Sequence, residues 1–354
     1  MIYHLAHYIQ HYLPVCNVLH YVSVRAIASL LSTLIFAVLF GNWFIEQSKH
    51  WFRAKAREWT PESHKLKDNM PTMGGIFILA LVMINALLWC DLSRSHVWVL
   101  LLCLVLFGAI GAWDDWCKIN KRAGIRAASK FWLQVVCATT VVVAWLYTTD
   151  ASTTITFPFF KNVNPNLGIF FIPWAVFIII GCSNAVNLTD GLDGLAIGSI
   201  MPNFVTFSLI AYLAGHMQFA HYLCIPYAGT AEVAVIGATL IGASLSFLWY
   251  NAYPAQIFMG DVGSLALGAG LACMALMAKQ ELLLILAGGL FVVETVSVIV
   301  QVLSFKYFGK RIFKMAPLHH HFELKGWPES KISVRFGIIS LVLCLLALIT
   351  LKLR

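Results

Sequence analysis

The sequence predicts an all-α polytopic membrane protein with about ten transmembrane helices and both termini on the outer side. Three observations carry this. Of its 354 residues, 60% are hydrophobic and 11% charged, against roughly 25% charged in soluble domains. The mean hydropathy is +0.80. The apolar residues also fall into runs close to the roughly 20 that a helix needs to cross a bilayer. This composition excludes a disordered chain, a coiled coil, a collagen and a disulfide-stapled secreted module. The runs are continuous rather than alternating, which excludes a β-barrel. The nine cysteines form no CxxC pair and sit mostly in apolar runs, so neither a disulfide framework nor a thiolate metal site is expected. The chain reads as a single integral membrane domain over 1–354 with no room for a sizeable soluble part.

Taken in order, residues 1–20 carry Tyr3, Tyr8 and Tyr12 beside His4, His7 and His11, which predicts an amphipathic helix lying in the outer interface. The first basic residue is Arg25, so the basic leader of a cleaved signal peptide is not expected. The ten apolar runs centre on 23–44, 73–90, 96–113, 131–148, 168–184, 195–214, 232–250, 262–278, 282–303 and 335–351. Charge sets their direction. Lys49, Arg53, Lys55, Arg57, Lys65 and Lys67 lie in the first loop, and Lys118, Lys121, Arg122, Arg126 and Lys130 in the third. Lys306, Lys310, Arg311, Lys314, Lys325, Lys331 and Arg335 lie in the ninth. The even loops hold only Arg94, Lys161 and Lys279. Positive charge marks the cytoplasmic side, so the odd loops face the cytoplasm, and the net charge of +8 is one-sided, suited to anionic head groups or phosphates.

Five aspartates stand at span ends on that same side: Asp114, Asp115, Asp190, Asp193 and Asp261. A carboxylate in the membrane costs roughly 2.5–3.5 kcal/mol on insertion scales. Helix capping covers one or two of them, but Asp114 and Asp115 end a helix where negative charge is disfavoured. Carboxylates gathered with lysines and glycines point to Mg²⁺ and phosphate, because magnesium takes oxygen ligands from one or two carboxylates and from substrate. Lys118 follows Asp114 by one helical turn, and Asn187, Asp190 and Asp193 recur every third residue, broadly along one helical side. Thr72 with Gly74 and Gly75 reads either as an anion-binding helix start or as a tight turn. The run His319, His320, His321 implies a loop or broken helix whose imidazoles donate to phosphate. Glu294, a carboxylate within the ninth span, is expected to face the bundle interior and hold that helix. The loops expected to carry chemistry are about 45–72, 112–130, 183–194, 250–261 and 304–335.

PTMGG, DDWCK, NLTDGLDG, FMGDVGS and MAPLHHHFE, in this order, resemble the motifs of the phospho-N-acetylmuramoyl-pentapeptide transferase family. That family lies within the polyprenyl-phosphate N-acetylhexosamine-1-phosphate transferase superfamily, and the resemblance covers roughly residues 20–354. It implies a Mg²⁺-dependent transfer of phospho-MurNAc-pentapeptide from UDP-MurNAc-pentapeptide to undecaprenyl phosphate, giving lipid I and UMP. Such an enzyme serves peptidoglycan synthesis, and with it cell wall biogenesis, shape and division. It works in the bacterial cytoplasmic (inner) membrane with its site facing the cytoplasm. The resemblance implies membrane lipid and a homodimer as partners, and no nucleic acid.

Residue by residue, it implies Asp114 as base, Asp115 as the group positioning metal or phosphate, and Asp261 as the Mg²⁺ ligand. Lys67, Asp193 and Phe258 match a uridine pocket. Thr72, Asn187, Asp190 and Gly260 match the adjoining sugar and phosphate region, and Lys118, Lys130, Asn251, His319, His320 and His321 match further polar positions around the cleft. Which aspartate is the base, and whether the route has one step or two, both stay open. A sister family that transfers GlcNAc-1-phosphate shares the aspartate loops and differs in the ninth. A transporter is the rival of another class, but its site belongs near the bilayer midplane.

Overall fold

The computed structural model describes residues 1–10, 12, 14–51, 70–121, 123–158, 160 and 163–352. Helices form α1 (Ile2–Ile9), α2 (Val22–Trp51), α3 (Gly75–Trp89), α4 (Ser95–Lys121), α5 (Ala127–Thr149), α6 (Phe171–Thr189) and α7 (Leu195–Ala214). They continue as α8 (Met217–Leu223), α9 (Ala231–Asn251), α10 (Gly260–Met277), α11 (Leu283–Ala287), α12 (Gly289–Phe308), α13 (Leu318–Glu323) and α14 (Glu329–Thr350). The described residues contain no strand, only an isolated bridge between Thr154 and Asn166. The chain is an all-α polytopic membrane protein.

Among the described residues, nine helices are long and apolar enough to cross a membrane: α2, α4, α5, α6, α7, α9, α10, α12 and α14. The tenth expected run is α3, whose 15 residues extend only roughly 22 Å, short of a hydrocarbon core of roughly 30 Å. Two boundaries differ instructively from the apolar runs. The helix begun at Ser95 does not end with its apolar residues at 113 but continues to Lys121. The run 282–303 breaks at Gly288 into α11 and α12. At the N-terminus, the expected single interfacial helix is a short α1 followed by a 3₁₀ turn, Pro14–His20. Tyr3 of α1 lies under the Arg25 guanidinium, 4.4 Å from ring centroid to carbon.

The core is built around α10, which is apolar on every side and buried at each residue from Val262 to Met277, as a helix without a polar face must be. Small residues let its neighbours close in, as in other membrane bundles. A Cβ on Gly75 of α3 would lie 2.1 Å from the Gly263 nitrogen, and one on Gly268 would lie 2.7 Å from the Cys182 carbonyl oxygen of α6. A Cβ on Gly111 of α4 would lie 2.2 Å from the Asp261 carbonyl oxygen. The up-and-down packing brings the C-terminal ends of α4, α6 and α9 and the N-terminal ends of α3, α5, α7 and α10 to one end of the bundle.

Candidate active site

At that end, Thr72, Asp114, Asp115, Lys118, Lys130, Asn187, Asp190, Gly191, Leu192, Asn251, Phe258, Gly260 and Asp261 line a cleft of about 480 Å³. Its floor is the last turns of α4. Asp114 and Asp115 are buried, at 3% and 4% exposure. Lys118 reaches back along the helix to 3.0 Å from Asp114 Oδ2 and 3.2 Å from Asp115 Oδ1, and across to 2.7 Å from Asp261 Oδ1. Lys130, from the first turn of α5, lies 3.1 Å from Asp114 Oδ2 and also pairs with Asp261 Oδ2.

Main-chain donors hold the remaining oxygens. Asp114 Oδ1 accepts the Ile125 N–H at 2.6 Å, and Asp115 Oδ2 accepts the Val262 N–H at 3.3 Å. The second contact puts a carboxylate on the N-terminus of α10, where the helix dipole favours it. Two acids at the end of α4 are therefore offset by two lysines and by the start of a neighbouring helix. Gly260, with φ 74°, makes this approach possible, since a Cβ there would sit 2.5 Å from Asp115 Oδ2.

The walls are fixed by side-chain amides and by main chain. Asn187 accepts a hydrogen bond from Ser264 Oγ at 2.8 Å. Asn251 accepts the Gly194 N–H at 3.1 Å and donates to the Ile257 carbonyl at 2.8 Å, tying two cleft loops together. Desolvation, and then the Asp261 and Asp115 carboxylates, push the Asp190 carboxyl up to about 8.

The PTMGG segment resolves in favour of a turn. Met73 has φ 65°, and the Gly74 and Gly75 N–H groups donate to the Phe258 and Met259 carbonyls at 2.9 and 2.8 Å. Those amides are engaged and do not face an anion. The clip instead places Thr72 and Phe258 together on the cleft wall.

Four expected residues lie away from the lining. Asp193, at 2% exposure, accepts the Ala255 N–H at 3.1 Å, while its own carbonyl accepts from Ser333 Oγ at 2.7 Å. The every-third-residue pattern fails here because α6 stops at Thr189 and the chain turns, ending at Gly194 with φ 71°. Of the two expected forms, a loop or a broken helix, the three histidines take the second, lying in the short separate helix α13. His319 is buried against Glu294, His320 pairs with Glu323 at 3.0 Å, and His321 Nδ1 accepts the Lys314 N–H at 3.1 Å. Burial lowers the pKa of His319. Lys67, with most of the expected loop 45–72, lies outside the described residues.

Sequence reasoning missed the Ile125 amide and the neighbouring Gly124, whose Cβ would lie 2.6 Å from Asp114 Oδ1. Glycine in a basic loop was the available signal. It also missed Gln301, whose Oε1 accepts the Ile312 and Phe313 N–H groups, each at 3.0 Å, and carries no motif. Among the described residues, no three His, Cys, Asp or Glu side chains form a metal cage. Magnesium needs none, being held by one or two carboxylates together with phosphate and water. The hard oxygen donors of Asp115 and Asp261, converging through one ammonium, fit such an ion. Four aspartates, Asp190 included, and two ammoniums around one open cleft are a donor set suited to a cation and a polyanion together. The sequence profile of glycosyl transferase family 4 matches residues 97–279, more than half of the chain, and spans every cleft residue except Thr72.

Proposed function

This chain belongs to glycosyl transferase family 4, and from that premise we propose that it converts UDP-MurNAc-pentapeptide and undecaprenyl phosphate into lipid I and UMP. The coarser activity, transfer of a sugar phosphate onto a lipid carrier, comes with the family. The observation that supports a transfer site here is the convergence of Asp114, Asp115 and Asp261 on Lys118 at one end of a membrane bundle. A head group held at a bilayer face meets a water-soluble nucleotide at such a place. The MAPLHHHFE segment, residues 315–323, favours the muramoyl-pentapeptide over the GlcNAc donor.

In the proposed step, an acceptor-phosphate oxygen forms a bond to the β-phosphorus. The bond from that phosphorus to its bridging oxygen breaks, and the electron pair leaves with UMP. Phosphoryl transfer between anions depends on positioning and charge neutralisation. Lys118 and Lys130 supply fixed positive charge, and Asp114 orients the acceptor or takes its proton. Phe258 offers a stacking face to uracil, and Thr72, Asn187 and Asp190 line the sugar and phosphate region. Asp261, with Asp115, would hold Mg²⁺, whose chemistry here is to neutralise phosphate charge. We place the protein in the bacterial cytoplasmic membrane with the cleft toward the cytoplasm, on the basicity of its odd loops.

The deciding assay is UMP release by purified protein with defined substrates. Release that requires both polyprenyl phosphate and Mg²⁺, and that prefers the muramoyl nucleotide, is expected. A preference for UDP-GlcNAc would move the chain to the sister activity.

A further inference from the structure

Glu294 lies within α12 and is fully buried. One of its oxygens, Oε1, accepts the main-chain N–H of His319 at 3.2 Å, at the start of α13. The other, Oε2, is 3.4 Å from His319 Nδ1. His319 is itself fully buried. Beyond this contact neither its ring nitrogens nor Glu294 Oε2 has a hydrogen-bond partner among the described residues. The far edge of the ring packs against Gly191 from behind the cleft wall: a Cβ on Gly191 would lie 2.4 Å from His319 Nε2. Gly191 stands between Asp190 and Leu192, and all three line the cleft wall. A carboxylate in a spanning helix thus bears on an imidazole, and the imidazole on the loop that ends α6. A buried acid in a span calls for such a partner, and only glycine leaves room for the ring at residue 191.

We propose that Glu294 is a positioning residue for the transfer. It holds His319 against Gly191 and so fixes the Asp190–Leu192 wall, without touching substrate. The activity readout rests on the transferase reading above, whereas the structural readout does not.

The test compares Glu294→Ala, Glu294→Gln, His319→Ala, the Glu294→Ala/His319→Ala double variant and Gly191→Ala, all in purified full-length protein. Glu294→Ala and His319→Ala are each expected to lower kcat about tenfold with an unchanged KM for the polyprenyl phosphate. The double variant is expected to lose no more than the worse single one, as for residues acting as a unit. Glu294→Gln keeps an acceptor for the His319 N–H and should recover most of the loss. Gly191→Ala should reproduce the defect by pushing on the ring. Independently of turnover, amide hydrogen exchange over 187–195 should quicken in the two alanine variants and stay near wild type in Glu294→Gln. Unchanged exchange in Glu294→Ala, or losses that multiply in the double variant, would overturn the proposal. Should Glu294→Ala fail to fold, Glu294→Gln and Gly191→Ala decide: wild-type exchange and kcat in Gly191→Ala would sink it. If the wild type releases no UMP, the transferase reading fails and the exchange measurement still judges the positioning role.

Discussion

The two ends of α9 both bury charge, and they use it differently. At the first turn, Glu232 receives Arg25 bidentately at 2.7 and 2.6 Å and also accepts the Asp91 N–H at 2.9 Å. Arg25 adds the Trp89 carbonyl at 3.1 Å and is 2% exposed. One acid meets one base, and the pair locks α2 and α9 to the end of α3. At the other end of this 21-residue helix, roughly 30 Å away, three carboxylates share two ammoniums around a cleft of about 480 Å³. A matched, enclosed ion pair is architecture. A surplus of acids facing open space marks a site, because its charge balance is left for a ligand to complete.

The largest effect should come from breaking the closed pair. Arg25→Ala leaves Glu232 buried without a counter-charge, at a cost of about 3–5 kcal/mol, while an Arg25→Met/Glu232→Leu exchange should restore most of the stability. Thermal or denaturant unfolding checks both, and turnover per folded molecule should not change in either. Breaking the open set should do the reverse. Asp261→Asn should cost about 10²–10³ in turnover, the scale on which a fixed electrostatic group matters, with little change in unfolding. Near-normal turnover at saturating Mg²⁺ would remove Asp261 from the metal role.

Phe258→Ala sharpens the assignment of the cleft wall. It should weaken nucleotide binding by about 1–3 kcal/mol, the worth of a base–aromatic stack, and leave the KM for polyprenyl phosphate alone; equal losses on both substrates would count against stacking. The mildest perturbation tests sidedness. Cysteines at Lys121 and Asn166, beyond the two ends of α5, should be labelled from opposite sides of the membrane, Lys121 from the cytoplasmic one, and labelling from the same side would undo the orientation.

Much of this contrast is legible in the sequence, for physical reasons. The spans declare themselves because lipid demands long apolar runs, and 195–214 coincides with α7. The cleft residues could be gathered because basic loops and aspartates fall on the same ends. Hydropathy could not foresee that α4 runs on to Lys121. Its last turns are polar and are kept helical by Lys118 pairing with Asp114 one turn back, an interaction with no apolar signal. Nor could spacing foresee Asp193, because a period of three holds only while a helix lasts and α6 stops at Thr189. The Gly74 and Gly75 amides were ambiguous for a different reason: their acceptors, Phe258 and Met259, lie far away in sequence.

The burial of α10 has a consequence for how the protein can move. Asp261 stands at the tip of a helix wedged by glycine contacts against α3, α4 and α6, so this acid cannot shift without prising the bundle apart. The rim is pinned in turn: Asp193 accepts from Ala255 and its carbonyl from Ser333, and the Phe258 and Met259 carbonyls accept the Gly74 and Gly75 amides, so the wall of the cleft is tied to the same frame as its floor.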